Sequence, residues 1–330
     1  MAATVPRVSA IEIRHVRKQF PGAPTPAVAD CDLAVPRGDL TVLLGPSGCG
    51  KTTLLKLINR LYEPDSGQIL INGVDTRALP ETTLRRGIGY AIQQVGLFPH
   101  LRVDQNIAIV PELLAWSRAR IETRIDELLD LVRLPRTYRR RFPRQLSGGE
   151  QQRVGLARAL AADPKIMLMD EPFGAVDAIT RTRLQDELRG IQQTLRKTIV
   201  FVTHDVEEAL RLADHIAVMR AGRVVQSGTP LEVLTRPRDD FVGQLLNSDD
   251  ILRQLSLMPV GTVMSASREH DRPGSRSVRA SDSLRTALSI MLQHDVSALV
   301  ALDPAGRPIG HLGFEDIRRA VIGSRTGVPS

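Results

Sequence analysis

Eight consecutive residues carry the first chemistry of the chain: Gly45, Pro46, Ser47, Gly48, Cys49, Gly50, Lys51 and Thr52, with Thr53 following. Glycines at these intervals let successive backbone N–H groups curl around an anion. The apolar stretch DLTVLLG leads into the loop and KTTLLKLINRLY leads out of it, so it joins a buried strand to a helix N-terminus. That end of a helix offers free N–H donors and partial positive charge. Lys51 is placed to reach the β- and γ-phosphates, and the Thr52 hydroxyl to ligate Mg2+. The spacing satisfies the phosphate-loop pattern in full, and a nucleotide is the expected ligand.

Three further stretches supply what such a site needs. KIMLMDEP is an apolar strand ending in Asp170 and Glu171. Strand ends of this kind face the ligand crevice of a parallel sheet. Asp170 can hold the Mg2+ shell, and Glu171, turned differently, can polarise a water for attack on the γ-phosphate. Taken alone, an acidic pair there fits a solvated loop or a helix cap as well. Thr203-His204-Asp205 ends a second buried strand, TIVFV, at the same sheet edge. His204 can contact the γ-phosphate or orient the water and Glu171. Far downstream of the first loop, LSGGEQQR starts another helix with Ser147, Gly148 and Gly149. A serine, two glycines and a helix N-terminus form a second anion site.

The elements that must position these groups alternate. Buried strands (DLTVLLG, GIGYAIQQ, KIMLMDEP, TIVFVTHD) are separated by helices (RTRLQDELRGIQQTLRK, VEEALRLA), which predicts a largely parallel sheet. Residues 104–160 read as an inserted helical subdomain, with Ile121, Ile125, Leu128, Leu129 and Val132 on one helical face. HIAVMRAGRVVQSG reads as a hairpin around Ala221-Gly222. The expected organisation is an α/β nucleotide-binding domain over 1–247, a linker at 248–257, and a small unit over 258–330. In the last, SVRA, VSALVALD and IGHLGF are strands, and SDSLRTALSIMLQHD and EDIRRAVI are helices.

Composition narrows the class. Of 330 residues, 42% are hydrophobic and 25% charged, as in ordinary globular proteins. Net charge is +7, which admits nucleic acid, anionic lipid, phosphate ligands or a solvated arginine-rich surface. Aromatics make up only 3%, which argues against a base-stacking surface. Cys31 and Cys49 make no disulfide framework. No apolar run approaches the ~18 residues of a membrane span. MAATVPRVSA lacks a hydrophobic signal core.

The phosphate loop, LSGGEQQR, LMDEPFGAVD and His204 occur in the order and with the separations that mark the nucleotide-binding subunits of ABC transporters. The chain resembles that family over about residues 10–245. The resemblance implies an α/β P-loop NTPase fold with ATP and Mg2+ at the site. It gives Phe20 as the aromatic that stacks on adenine, where tyrosine is commoner. Gln93 becomes the glutamine joining the Mg2+ site to the membrane-domain contact, hence both a catalytic and a metal-site residue. Ser147, Gly148 and Gly149 become the signature loop. Asp177 becomes the aspartate of the loop after the second carboxylate, in a GAVD variant of the commoner ALD form. It implies a head-to-tail homodimer, in which the signature loop of one copy covers the ATP held by the other. It further implies permease subunits, an extracellular or periplasmic substrate-binding protein, and a peripheral position on the cytoplasmic face of the cell membrane.

GYAIQQVGLFPHLRV, DEPFGAVDAITRTRLQDEL and FVGQLLNSDDILRQLSL are similar to the osmoprotectant subgroup, whose importers carry quaternary amines such as glycine betaine, choline or carnitine. Importers of methionine, nitrate or sulfonates share parts of these phrases. A soluble ABC ATPase acting on nucleic acid or ribosomes is the other class. It fits poorly a chain with a single nucleotide domain and no long coiled-coil insertion, so no nucleic-acid partner is expected. The last unit resembles a single CBS motif, a regulatory or dimerisation module. Asp316 matches an acidic position able to bind ribose, and Gly313 stands where threonine or serine is common.

Overall fold

The computed structural model describes residues 8–92, 96–174, 176–266 and 276–326. Gln93 lies outside the described residues, as does most of the predicted loop SREHDRPGSRS. The chain forms two compact units that divide between Ser227 and Gly228.

The first unit opens with β1 (Ser9–Lys18), β2 (Val28–Pro36), β3 (Leu40–Leu44), α1 (Lys51–Ile58), β4 (Ser66–Ile71) and β5 (Val74–Asp75). It continues through α2 (Glu81–Arg86), β6 (Ile88–Ala91), α3 (Val103–Leu113), α4 (Arg118–Leu131) and α5 (Gly148–Leu160). Then come β7 (Ile166–Asp170), α6 (Ala178–Leu195), β8 (Thr198–Thr203), α7 (Val206–Leu212), β9 (His215–Arg220) and β10 (Arg223–Gly228). Strands β2-β1-β4-β5 make an antiparallel sheet, and β10-β9-β3-β8-β7-β6 a second sheet. Within the latter, β9, β3, β8, β7 and β6 run parallel. Every residue of β3, β7 and β8 is buried, as expected of central strands covered on both faces.

Register decides where the chemistry meets. Leu44 lies opposite Thr203, and Asp170 opposite Val202. The C-terminal ends of β3, β7 and β8 therefore sit side by side, and the segments that follow them share one edge. The hairpin between β9 and β10 turns at Ala221 (φ 48°) and Gly222 (φ 78°), the two left-handed residues that a tight two-residue turn requires. Helices α3–α5 form the expected helical subdomain, and Ile121, Ile125, Leu128, Leu129 and Val132 are all buried.

The second unit holds α8 (Pro230–Thr235), α9 (Asp240–Leu246), α10 (Ile251–Leu257), β11 (Ser265–Ala266) and β12 (Ser277–Arg279). It ends with α11 (Leu284–His294), β13 (Ala298–Leu302), β14 (Pro308–Gly313) and α12 (Phe314–Thr326). The sheet order is β11-β14-β13-β12, with β12 parallel to β13 and the other pairs antiparallel. The boundary and linker differ from the sequence reading. Residues 251–257 are helical, and Leu255 shares one apolar core with Met258, Val260, Leu284 and Leu299. Burial of Leu255 makes this segment part of the unit, not a tether to it.

Candidate nucleotide site

The phosphate loop leaves β3 and turns into α1 as its sequence requires. Gly50 caps α1 at φ 105°, a region closed to ordinary side chains. A Cβ there would stand 2.2 Å from the carbonyl oxygen of Ala27, so only glycine fits beside that backbone. Gly50→Ala is expected to lower stability by about 2 kcal/mol or more through strain and clash, read as a lower melting temperature, and to weaken ATP binding. Gly48 is also left-handed, at φ 79°. Cys49 is buried, and its backbone carbonyl accepts the Gly222 N–H. Lys51 is 5% exposed, and its Nζ donates to the carbonyl oxygens of Gly45 (2.7 Å) and Pro46 (2.9 Å). The ammonium is thus held inside the loop that Ser47 and its neighbours form. Thr53 lies half-buried on the first turn of α1.

Thr52 and Asp170 meet across the sheet edge. The Thr52 hydroxyl donates to Asp170 Oδ1 at 2.9 Å, although the two are far apart in sequence. Burial pushes the Asp170 carboxyl up, and the neighbouring Glu171 charge adds to this, while the Thr52 bond, Lys56 and Lys51 pull it down. A hydroxyl and a carboxylate oxygen at one point make a hard oxygen donor set, which fits Mg2+ better than a thiolate- or imidazole-seeking metal.

Adjacent side chains on a strand already point to opposite faces of the sheet. Here Glu171 also enters the left-handed region, at φ 44°, while its N–H stays bonded to Val202 O at 3.0 Å. This conformation is uncommon for a long side chain and recurs at functional sites. It sends Asp170 to Thr52 and Glu171 to His204, whose Nδ1 is 3.1 Å from Glu171 Oε1. An ionised carboxylate only accepts, so Nδ1 carries the hydrogen in that bond.

Ser147, Gly148 and Gly149 lie elsewhere, at the start of α5. The Ser147 hydroxyl oxygen accepts the Glu150 N–H (3.3 Å), and Glu150 Oε2 accepts the Ser147 N–H (2.7 Å), a reciprocal capping box. The Ser147 side chain also bonds the Glu150 carboxyl, which holds the serine at the first turn of α5. Asp177 caps α6 by accepting the Thr180 N–H at 3.0 Å. A Cβ on Gly149 would stand 3.0 Å from Thr180 Cγ2, so the two helix starts adjoin. Among the described residues, no hydrogen bond joins Ser147, Gly148 or Gly149 to the phosphate loop of the same chain. Phe20 is half-buried and meets Tyr62 edge to face, with ring centroids 5.1 Å apart.

Sequence reasoning missed the groups under the His204 turn: Thr203, Gln185 and Glu208, all buried. The available signal was the four-residue spacing of Glu208 and Leu212 on α7, which puts a carboxyl on the apolar face. In the second unit, Asp316 is engaged by its own chain. Its Oδ2 accepts the Gly313 N–H at 2.8 Å, and its Oδ1 pairs with Arg319 at 2.5 Å.

Comparisons with known proteins give the family. The ABC transporter family matches residues 28–174, and the CBS domain family matches residues 272–323. The chain is 51% identical over 308 residues to the glycine betaine uptake system ATP-binding protein YehX of Escherichia coli, covering 93% of this chain and 98% of that one. It is 46% identical over 314 residues to the osmoprotectant import ATP-binding protein OsmV of Salmonella typhimurium, covering 94% and 81%. Among solved structures it resembles the dimeric structure of MJ0796, a bacterial ABC transporter cassette. The TM-score is 0.61 at 33% identity, over 67% of this chain and 98% of that one. No helix among the described residues is long and apolar enough to cross a membrane. At such identity over nearly the whole length of this chain, it belongs to the ABC transporter family, as an ATP-binding ATPase subunit that carries a CBS domain.

Proposed function

We propose that two copies of this chain pair head to tail, hydrolyse ATP at two shared sites, and drive import of a quaternary amine osmoprotectant such as glycine betaine, choline or carnitine. The observation that carries the pairing is the position of the second anion site. Ser147–Gly149 and the start of α6 adjoin, Ile179 near Asp177 is 83% exposed, and among the described residues no hydrogen bond ties Ser147, Gly148 or Gly149 to the chain's own phosphate loop. A second copy supplies the phosphate that the surface is built to receive. The MJ0796 cassette, similar over most of its length, is itself a dimer.

Within each site the loop N–H groups, Ser47 and Lys51 hold the β- and γ-phosphates, and Phe20 offers its ring to adenine. Thr52 and Asp170 are the residues that would hold Mg2+, with Gln93 as the third. When bound, Mg2+ neutralises phosphate charge and so favours attack at the γ-phosphorus. Glu171 takes the proton of the attacking water. His204, bonded to Glu171, holds that carboxylate in place and turns its other nitrogen to the γ-phosphate. Ser147, Gly148 and Gly149 of the second copy close the site, and Asp177 lies at the same interface.

Force has to leave through a surface near the site. A groove of about 380 Å³ is lined by Gly96, Phe98, Ile109, Val110, Arg85 and Arg158 among others, so apolar side chains and arginines share it. Phe98 is 45% exposed. This is the surface we assign to the permease subunits, which would place the chain on the cytoplasmic face of the membrane. The cargo assignment rests on likeness to YehX and OsmV across nearly the whole chain, CBS domain included. In a reconstituted transporter with its permease and substrate-binding protein, glycine betaine is expected to stimulate ATP hydrolysis several-fold. Stimulation by methionine or a sulfonate, and not by any quaternary amine, would overturn the cargo assignment and leave the ATPase mechanism standing.

A further inference from the structure

Glu208 is a carboxyl with 6% exposure, four residues past His204 on α7. Burying such a group is unfavourable unless its oxygens are satisfied, and an apolar residue would pack there at less cost. Its partners are specific. Oε1 accepts from Gln185 Nε2 at 3.0 Å, and Gln185 is itself 5% exposed on α6. The Thr203 hydroxyl also bonds the Glu208 carboxyl. Thr203 Oγ1 in turn accepts the Asp205 N–H at 3.0 Å, and Asp205 Oδ1 accepts the Glu208 N–H at 3.2 Å. The turn that carries His204 is thus tied to Glu208 on both sides of the histidine.

The other end of the network is α6. One turn before Gln185, Arg181 Nη1 lies 3.7 Å from Asp205 Oδ2, and its Nη2 donates to Val176 O at 3.0 Å. The same helix begins at Asp177, in the surface assigned above to the second copy. We infer that Glu208 is a positioning residue for ATP hydrolysis, clamping the Thr203–Asp205 turn to α6 so that the Asp177 end of α6 and the His204 imidazole move together. It touches no reacting atom and acts through His204. The inference rests on the role given to His204 in the proposed function.

The groups facing the carboxyl are Gln185 and Arg181 from α6, and Thr203 and Asp205 from the turn. Strand β3, also packed on α7, brings only Leu40, Thr41, Val42, Leu43 and Leu44, none of them charged. Burial raises Glu208 above the usual carboxylate range, and the Asp205 charge adds to this, while Thr203, Gln185 and Arg181 lower it. Glutamine keeps the shape of the side chain and an oxygen that can accept from Gln185, and so is the conservative replacement.

The test is a double-mutant cycle in the full chain, reading kcat and KM for ATP in Glu208→Ala, Glu208→Gln, His204→Ala and the His204→Ala/Glu208→Ala pair. Glu208→Ala is expected to lower kcat about tenfold with KM within about twofold of wild type, and Glu208→Gln to restore most of the loss. In the His204→Ala background, Glu208→Ala should add less than about a twofold loss. An equal loss in both backgrounds, or none in either, overturns the inference. Should Glu208→Ala fail to fold, Gln185→Leu removes the tie to α6 while keeping the carboxyl. It must show the same dependence on His204, and a loss that ignores the His204 background overturns the inference equally. Wild-type kcat in His204→Ala would sink the reading of His204 and this inference together. A low kcat there with unaltered Glu208 variants sinks this one alone.

Discussion

Glu171→Gln is expected to cut ATP turnover by about 10²- to 10⁴-fold, the usual contribution of a positioned general base, while leaving ATP binding intact. The amide matches the carboxylate in shape and can keep the bond to His204, 3.1 Å from Oε1. It adds no backbone strain, because glutamine and glutamate tolerate the φ of 44° equally. What it lacks is the basicity to take a proton from water. The phosphate loop, Thr52 and Asp170 are untouched, so ATP should still bind and still draw two copies together. With hydrolysis blocked, the closed dimer should accumulate, visible as an ATP-dependent doubling of mass on size exclusion. Turnover within about threefold of wild type would remove Glu171 from the role of base and leave the nucleotide site to another proton acceptor.

Much of this site is legible in the sequence because its parts are local. The phosphate loop is contiguous and its flanks announce a strand and a helix. Asp170, Glu171 and His204 each follow an apolar run, which marks a strand end, and a parallel sheet gathers strand ends at one edge. The apolar residues from Ile121 to Val132, along and just past α4, repeat over enough turns for periodicity to be read. Other features depend on register or on neighbours. Nothing in KIMLMDEP announces that Glu171 is left-handed, nor that its carboxylate meets His204 while that of Asp170 meets Thr52. Within VEEALRLA the two glutamates look alike, but Glu207 is exposed and Glu208 is buried against α6. Helices α8, α9 and α10 have 6 or 7 residues each, too few for a period to show, so the division after Ser227 could not be placed. Strand β11, of 2 residues, exists only through its pairing with β14.

The signature loop is where sequence and structure together make the sharpest demand. Gly148→Asp is expected to abolish ATP hydrolysis, by about 10²-fold or more, while leaving the fold and the first nucleotide contact intact. A Cβ on Gly148 meets nothing within 4 Å, whereas one on Gly149 would press on Thr180 at 3.0 Å. Gly148 is therefore the glycine whose replacement reports on a partner and not on packing within the chain. An aspartate at the first turn of α5 even favours the helix, since a negative charge there opposes the positive end of its dipole. The same electrostatics make it ruinous for a γ-phosphate arriving from a second copy, which now meets an anion where it needs N–H donors. The melting temperature should stay at or slightly above that of wild type, and each chain should still bind ATP through its own phosphate loop. Placed in the Glu171→Gln background, Gly148→Asp should prevent the ATP-dependent dimer. A dimer that forms as before would mean that Ser147–Gly149 does not face the nucleotide of the other copy. The head-to-tail arrangement would then fail while the phosphate loop kept its assignment.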